Sequence, residues 1–216
     1  FQLRENLISQ PTPLPTSLAV AAFPDESTAR NSKAFSPVSV GDTWGPAYQE
    51  GWYHITGKLP PIPEGQTPIL VYGPNPEFKW ETHPNVEGTI WQNNTQVGGL
   101  DFGHEYFRLK PAEPKIDLLL QTYAHNKETT VFRPEKPRTP HPEKFEGFGV
   151  AFLDEERLPL FYDAEFALDL LESFDETDPA RHLLIRTLNE VCNTFQEENH
   201  RTWRDCRKLI KNALGS

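Results

Sequence analysis

The residues of this 216-residue chain that could do chemistry are carboxylates, histidines and tryptophans. Hydrolysis of a glycosidic bond requires a pair of placed carboxylates. Asp101, Glu105 and the run Asp154-Glu155-Glu156 supply acids, but each stands where a solvated strand end would also put one, so no catalytic residue is assigned. A zinc site requires three or four ligands at restricted spacing. The seven histidines are scattered, and His104-Glu105 has no second histidine one turn on, so no metal site is expected. No glycine-rich phosphate loop occurs, and Gly98-Gly99 reads as turn geometry. Asn93-Asn94-Thr95 fits a glycosylation acceptor but, with no signal peptide in view, reads as a chance match.

The tryptophans say more. A flat aromatic face stacks on the C–H surface of a sugar, and Trp44, Trp52, Trp80 and Trp91 all fall in the stretch with strand character. Trp52 and Trp91 sit within strand-like segments and read as core. Trp44 and Trp80 sit in loops among polar neighbours, where core packing and sugar contact are both open. Trp44, Trp80 and Asp101 are therefore the candidate carbohydrate-contact residues.

Three regions must position these groups. Residues 1–37 read as an extended N-terminal arm, with Pro11, Pro13 and Pro15 favouring polyproline-like backbone and a short amphipathic turn near Leu3 to Ile8. Residues 38–153 read as a β-sandwich. Trp52 to Gly57 alternates at strand period and is stopped by Pro60-Pro61-Ile62-Pro63; Ile69 to Tyr72, His104 to Leu109, Lys115 to Ala124 and Gly147 to Leu153 add strands. Gly88 to Gln92 and Gln96 to Gly98 flank Asn93-Asn94-Thr95 as a hairpin, and Arg133 to Pro142 reads as an exposed loop. Residues 154–216 switch to helical period. The stripes are Phe161, Ala164, Leu168 and Leu171, then Leu184, Leu188, Val191 and Phe195 after an Asp178-Pro179 cap, then Trp203, Cys206, Ile210 and Ala213.

Charge narrows the partners. The net charge is −10, and residues 143–178 hold 12 acids against 2 bases while the remainder balances. No basic patch of nucleic-acid type stands out, so DNA and RNA are excluded as expected partners. No apolar run approaches a membrane span and no secretory signal is visible, which points to the cytoplasm. The basic stretch with Arg204, Arg207, Lys208 and Lys211 reads as a helix face beside the acidic helix. Cys192 and Cys206 fall on apolar helix faces without metal spacing; a disulfide is open to them, and two buried free thiols are the favoured reading.

The segment Val40-Gly41-Asp42-Thr43-Trp44-Gly45-Pro46, with Trp52-Tyr53 opening a strand that stops at Leu59-Pro60, resembles the N-terminal region of family 38 α-mannosidases. It looks most like the branch of the cytosolic and vacuolar enzymes. Gly88-Thr89-Ile90-Trp91-Gln92-Asn93, Val97-Gly98-Gly99-Leu100 and His104-Glu105-Tyr106-Phe107 match the hairpin and next strand of that family's sandwich. The later helices, with Phe161, Ala164 and Leu168, resemble its link to the catalytic domain, so the likeness spans residues 38–214. It implies a galactose-binding-like or jelly-roll sandwich followed by a small three-helix segment that leads toward an absent catalytic domain.

In that family catalysis belongs to the following domain, which opens with a Gly-His-x-His-x-Asp segment that helps bind zinc and carries a later Asp nucleophile. Neither motif occurs in these 216 residues. The resemblance thus implies a non-catalytic domain of a zinc-dependent retaining α-mannosidase, inactive alone, with zinc held by the catalytic domain. Its role would be to brace that domain, edge the substrate site with the Trp44 loop and contribute to homo-oligomer contacts. Two other readings are a self-standing carbohydrate-binding module for mannosides and an interaction scaffold whose acidic 143–178 segment docks a basic partner.

Overall fold

A computed structural model of the chain describes residues 7–45, 49–73, 86–101, 104–124, 143–197 and 199–215. They divide into two units, one drawn from Gln10–Pro63 and Thr67–Phe152, the other from Phe1–Ser9, Glu64–Gln66 and Leu153–Ser216. The described residues are mainly β, with three C-terminal helices, the order expected from the sequence. Trp80 and the 133–142 loop lie outside the described residues, as do residues 1–6 of the arm.

The strands, in chain order, are β1 (Thr12–Pro13), β2 (Thr16–Ala19), β3 (Ser36–Pro37), β4 (Thr43–Trp44), β5 (Glu50–Lys58) and β6 (Gln66–Tyr72). They continue with β7 (Gly88–Gln92), β8 (Thr95–Leu100), β9 (Tyr106–Arg108), β10 (Lys115–Tyr123), β11 (Glu143–Lys144) and β12 (Phe148–Asp154). One sheet runs β1-β12-β6-β9, a second runs β3-β2-β5-β10-β7-β8, and β11 pairs with β4 alone. Alternation along β5 sends Tyr53 and Ile55 to one face and Trp52 and His54 to the other. The first pair joins Leu118, Leu120, Ile90 and Leu100 in a cluster with Leu70, Tyr72, Phe148 and Val150 of the four-stranded sheet. That shared cluster makes the two sheets a sandwich.

From Gln10 on, the arm is part of the sandwich unit. Its Thr16–Ala19 stretch pairs antiparallel with β5, placing Leu18 opposite Tyr53. Polyproline and β backbones are neighbours in torsion space, so an extended segment beside an open strand edge completes the sheet. Helix α1 (Glu26–Arg30) follows, capped by Asp25, whose side chain accepts from the Thr28 N–H at 2.7 Å. Ala29, with Phe23 and Phe35, then covers Trp52 and Leu119 on the outer face of the six-stranded sheet. The expected hairpin forms with a tighter turn: Thr95 already belongs to β8 and faces Gln92, and Asn93 and Asn94 hold φ of 53° and 59°, the left-handed pair a two-residue turn needs.

In the other unit, α2 (Leu158–Ser173), α3 (Pro179–Thr194) and α4 (His200–Leu214) pack on one another. Asp178 caps α3 by accepting from the Ala180 N–H at 2.8 Å, with Pro179 in the first turn. The α3 and α4 stripes bury Leu184, Val191, Trp203, Cys206 and Ile210. On α2 the stripe is corrected: Phe161 and Ala164 are buried, but the next inward position is Ala167, and Leu168 is exposed. Helix period allows either position on that face, and the packing of α2 selects Ala167.

The basic stretch of α4 pairs with acids of the 154–163 region as expected: Arg207 donates to Asp163 at 2.7 Å and Arg204 to Glu156 at 3.2 Å. Arg157 is buried, lies 4.6 Å over the Trp203 ring and donates to Glu197 at 2.8 Å. Among the described residues no helix is long and apolar enough to cross a membrane.

The two cysteines differ, which corrects their reading as a buried pair. Cys192 is exposed while Cys206 is buried, and Val191 takes the inward position on α3. Burial pushes the Cys206 thiol up to about 11. Ellman's reagent on the folded chain is therefore expected to label one thiol quickly, lost in Cys192→Ser, and the second only on unfolding. Two equally fast thiols would contradict this packing.

Candidate functional site

Trp44 is not a sugar platform. It is 6% exposed, its ring meets Tyr53 edge-on at 5.9 Å and it belongs to the inter-sheet core. Pairing of Trp44 with Glu143 folds the loop inward. Gly51 makes room, since a Cβ there would stand 2.7 Å from the Trp44 ring. Trp52 is fully buried and Trp91 packs beside it, ring centroids 6.4 Å apart, both as read. The run Asp154-Glu155-Glu156 is structural at two of its positions. Asp154 accepts from the N–H groups of Glu156 and Arg157, at 3.0 and 2.9 Å, and Glu156 pairs with His200 at 2.5 Å.

Asp101 is the candidate the structure brings to a concave surface. A groove of about 560 Å³ is lined by Glu87, Gly88, Thr89, Leu100, Asp101, Gln121 and Tyr123. Strand pairing assembles it: Gln121 of β10 faces Thr89 of β7, which faces Gly99 of β8. Gln121 and Tyr123 share the face of Leu119, the outer face of the sheet. Gly88 permits the close pairing, because a Cβ there would meet the Gln121 carbonyl oxygen at 2.6 Å. The Thr122 hydroxyl donates to the Glu87 carbonyl at 2.6 Å and fixes the groove's edge.

The lining side chains are held from behind. Glu50 accepts from both the Trp52 indole N–H at 2.9 Å and the Gln121 amide at 3.0 Å, which orients that amide. Asp101 accepts from the His104 N–H at 2.8 Å and from His104 Nδ1 at 3.0 Å, closing the turn after β8. Tyr123 is 52% exposed. The result is a surface rich in hydrogen-bond acceptors beside one open aromatic ring. Gln121 and Tyr123 escape a sequence reading because outward residues at a strand end look like ordinary solvated positions.

Further along the same face lies an ionic cluster. Asp117 accepts from Arg30, from His54 Nε2 at 3.0 Å and from Lys115 at 2.8 Å. Glu26, 1% exposed, accepts from Arg30 at 2.6 Å and from the Asn94 backbone N–H. Partial burial pushes the Asp117 carboxyl up, but the bonds from Lys115, Arg30 and His54 outweigh it and hold the group well below the usual range. Among the described residues no group of three His, Cys, Asp or Glu side chains could hold a metal ion.

Fold and groove together define a class: a two-sheet sandwich with a helical segment and an acceptor-rich groove on one sheet's outer face. No family model matches the chain, and no curated protein matches it.

Two outcomes check this geometry. A carboxylate whose folded pKa is depressed stabilises above its unfolded value of 3.8, and that contribution is lost as pH falls below it. Asp117→Asn is therefore expected to cost about 1–2 kcal/mol near neutral pH and much less near pH 2, read by urea denaturation at both. Equal losses at the two pH values would contradict the cluster's role. Gly88→Ala is expected to cost about 1–3 kcal/mol, from the same measurement, because the new methyl meets backbone.

Proposed function

We propose that this chain is the non-catalytic N-terminal region of a zinc-dependent, retaining family 38 α-mannosidase of the cytoplasm, and that it braces the catalytic domain acting on α-mannosides. The observation that carries the bracing role is helix α2, which is apolar on opposite faces. Leu160, Phe161, Ala164 and Ala167 are buried, yet Tyr162 and Phe166 stand 51% and 58% exposed. Four residues apart, those two rings lie one above the other on the outward side. Exposed rings on a helix that is already packed along its other face form an apolar patch that a partner can cover. Leu183 and Ile185 of α3 are exposed as well. The acids Asp169 and Glu172 of α2 suit a covering surface with a basic rim.

In this reading the sandwich and helices supply rigidity, and zinc and the nucleophile belong to the catalytic domain. The turn-and-strand resemblance at residues 40–60 names that partner domain, and the mainly-β order with three helices agrees with it.

A separately produced family 38 catalytic region, stripped of its own sandwich, tests the proposal. Mixed with this chain it is expected to associate in sedimentation and to gain thermal stability. The double variant Tyr162→Glu/Phe166→Glu is expected to lose that association while the chain's own stability stays within about 0.5 kcal/mol. Hydrolysis of p-nitrophenyl α-mannoside by this chain alone with added zinc, or undiminished association of the double variant, would refute the role.

A further inference from the structure

We infer that the groove between Thr89, Asp101, Gln121 and Tyr123 binds a neutral saccharide. Its chemistry is one-sided. Among the described residues the lining offers the carboxylates of Glu87 and Asp101, the Thr89 hydroxyl and the Gln121 amide, and no Lys, Arg or His. Two carboxylates repel anions, so uronates, sialylated sugars and phosphates are poor ligands. Acceptor-rich walls match a ligand with many O–H donors, and adjacent hydroxyls of a pyranose can bond a carboxylate through both oxygens.

The exposed Tyr123 ring, two residues from Gln121 on one strand face, supplies the apolar surface that the C–H side of a sugar ring covers. A volume of about 560 Å³ falls in the range of small-ligand sites. The groups sit on or beside paired strands, and Gln121 is locked by Glu50, so the site is formed before ligand arrives. A primary amine also suits carboxylates beside an aromatic ring. The lysine ester arm of the titration below separates that ligand class from the sugars.

Binding at this groove stands on the sandwich's own residues and does not depend on the mannosidase reading. The test is an amide-resolved NMR titration of the 216-residue chain with methyl α-D-mannopyranoside, methyl β-D-glucopyranoside, methyl β-D-galactopyranoside, glucuronate and lysine methyl ester. At least one neutral glycoside is expected to saturate in the millimolar range, with shifts centred on Thr89, Gln121 and Tyr123. Glucuronate is expected to bind about tenfold more weakly or not at all. Tyr123→Ala and Gln121→Ala are each expected to weaken binding by about tenfold, with backbone spectra otherwise unchanged, whereas Phe166→Ala leaves it intact. The inference is overturned if no neutral glycoside saturates, if the shifts centre elsewhere, if Tyr123→Ala binds as tightly as the parent, or if lysine methyl ester binds these amides more tightly than the sugars. A failure here leaves the bracing role standing, since the groove and the α2 rings share no residue.

Discussion

Burial of the β5–β10 ribbon on both faces is the constraint on which the sandwich depends. The two strands pair over nine positions, from Lys58 opposite Lys115 to Glu50 opposite Tyr123. One side carries Tyr53, Ile55, Leu118 and Leu120 into the inter-sheet core. The other carries Trp52 and Leu119, which water would otherwise meet. An antiparallel sheet commonly leaves one face solvated, and this one cannot. Replacing a fully buried ring such as Trp52 by alanine costs about 3–5 kcal/mol. The residues before β5 are therefore structural, because β2 closes the sheet's flank and the α1 region roofs the outer face. Gln121 and Tyr123, at the far end of β10, line the groove.

The roof is latched by charge. Glu26 is almost fully buried, and a buried carboxylate is tolerable only when paired and hydrogen-bonded. Arg30 serves it and reaches Asp117 as well, so one guanidinium links the short helix to the central strand. The bond from Asn94 to Glu26 extends the link to the β7–β8 turn. A five-residue helix has little stability of its own, so these contacts, with Ala29 on Trp52, are what hold it.

Much of this architecture is legible in the sequence because it follows from period and turn chemistry. The alternation from Trp52 to Gly57, the Asn93-Asn94 turn and the Asp178-Pro179 cap are local signals, and each produces its element. What is not legible depends on partners distant in the chain. Thr16 to Ala19 becomes a strand only because β5 offers an edge. Trp44 has the polar neighbours of a loop residue, but its pairing opposite Glu143 and the missing side chain of Gly51 turn it into core. Leu168 is placed outward by a phase choice on α2 that Ala167 wins, and nothing within one helix sets that phase. Of the three candidate contact residues, Asp101 lies in a groove, Trp44 is interior, and Trp80 lies outside the described residues. The groove's aromatic is Tyr123, whose neighbours in sequence give no sign of it.

Under the proposed function, the exposed Tyr162 and Phe166 rings of α2 are the surface that a second domain covers. Rigidity alone does not need exposed rings at Tyr162 and Phe166, whereas attachment to a second domain does. The most direct measurement is hydrogen–deuterium exchange of the chain alone and with a family 38 catalytic region. The account predicts new protection across residues 158–173 on addition of that region, with β7 and β8 unchanged. Unchanged exchange along α2 would contradict it.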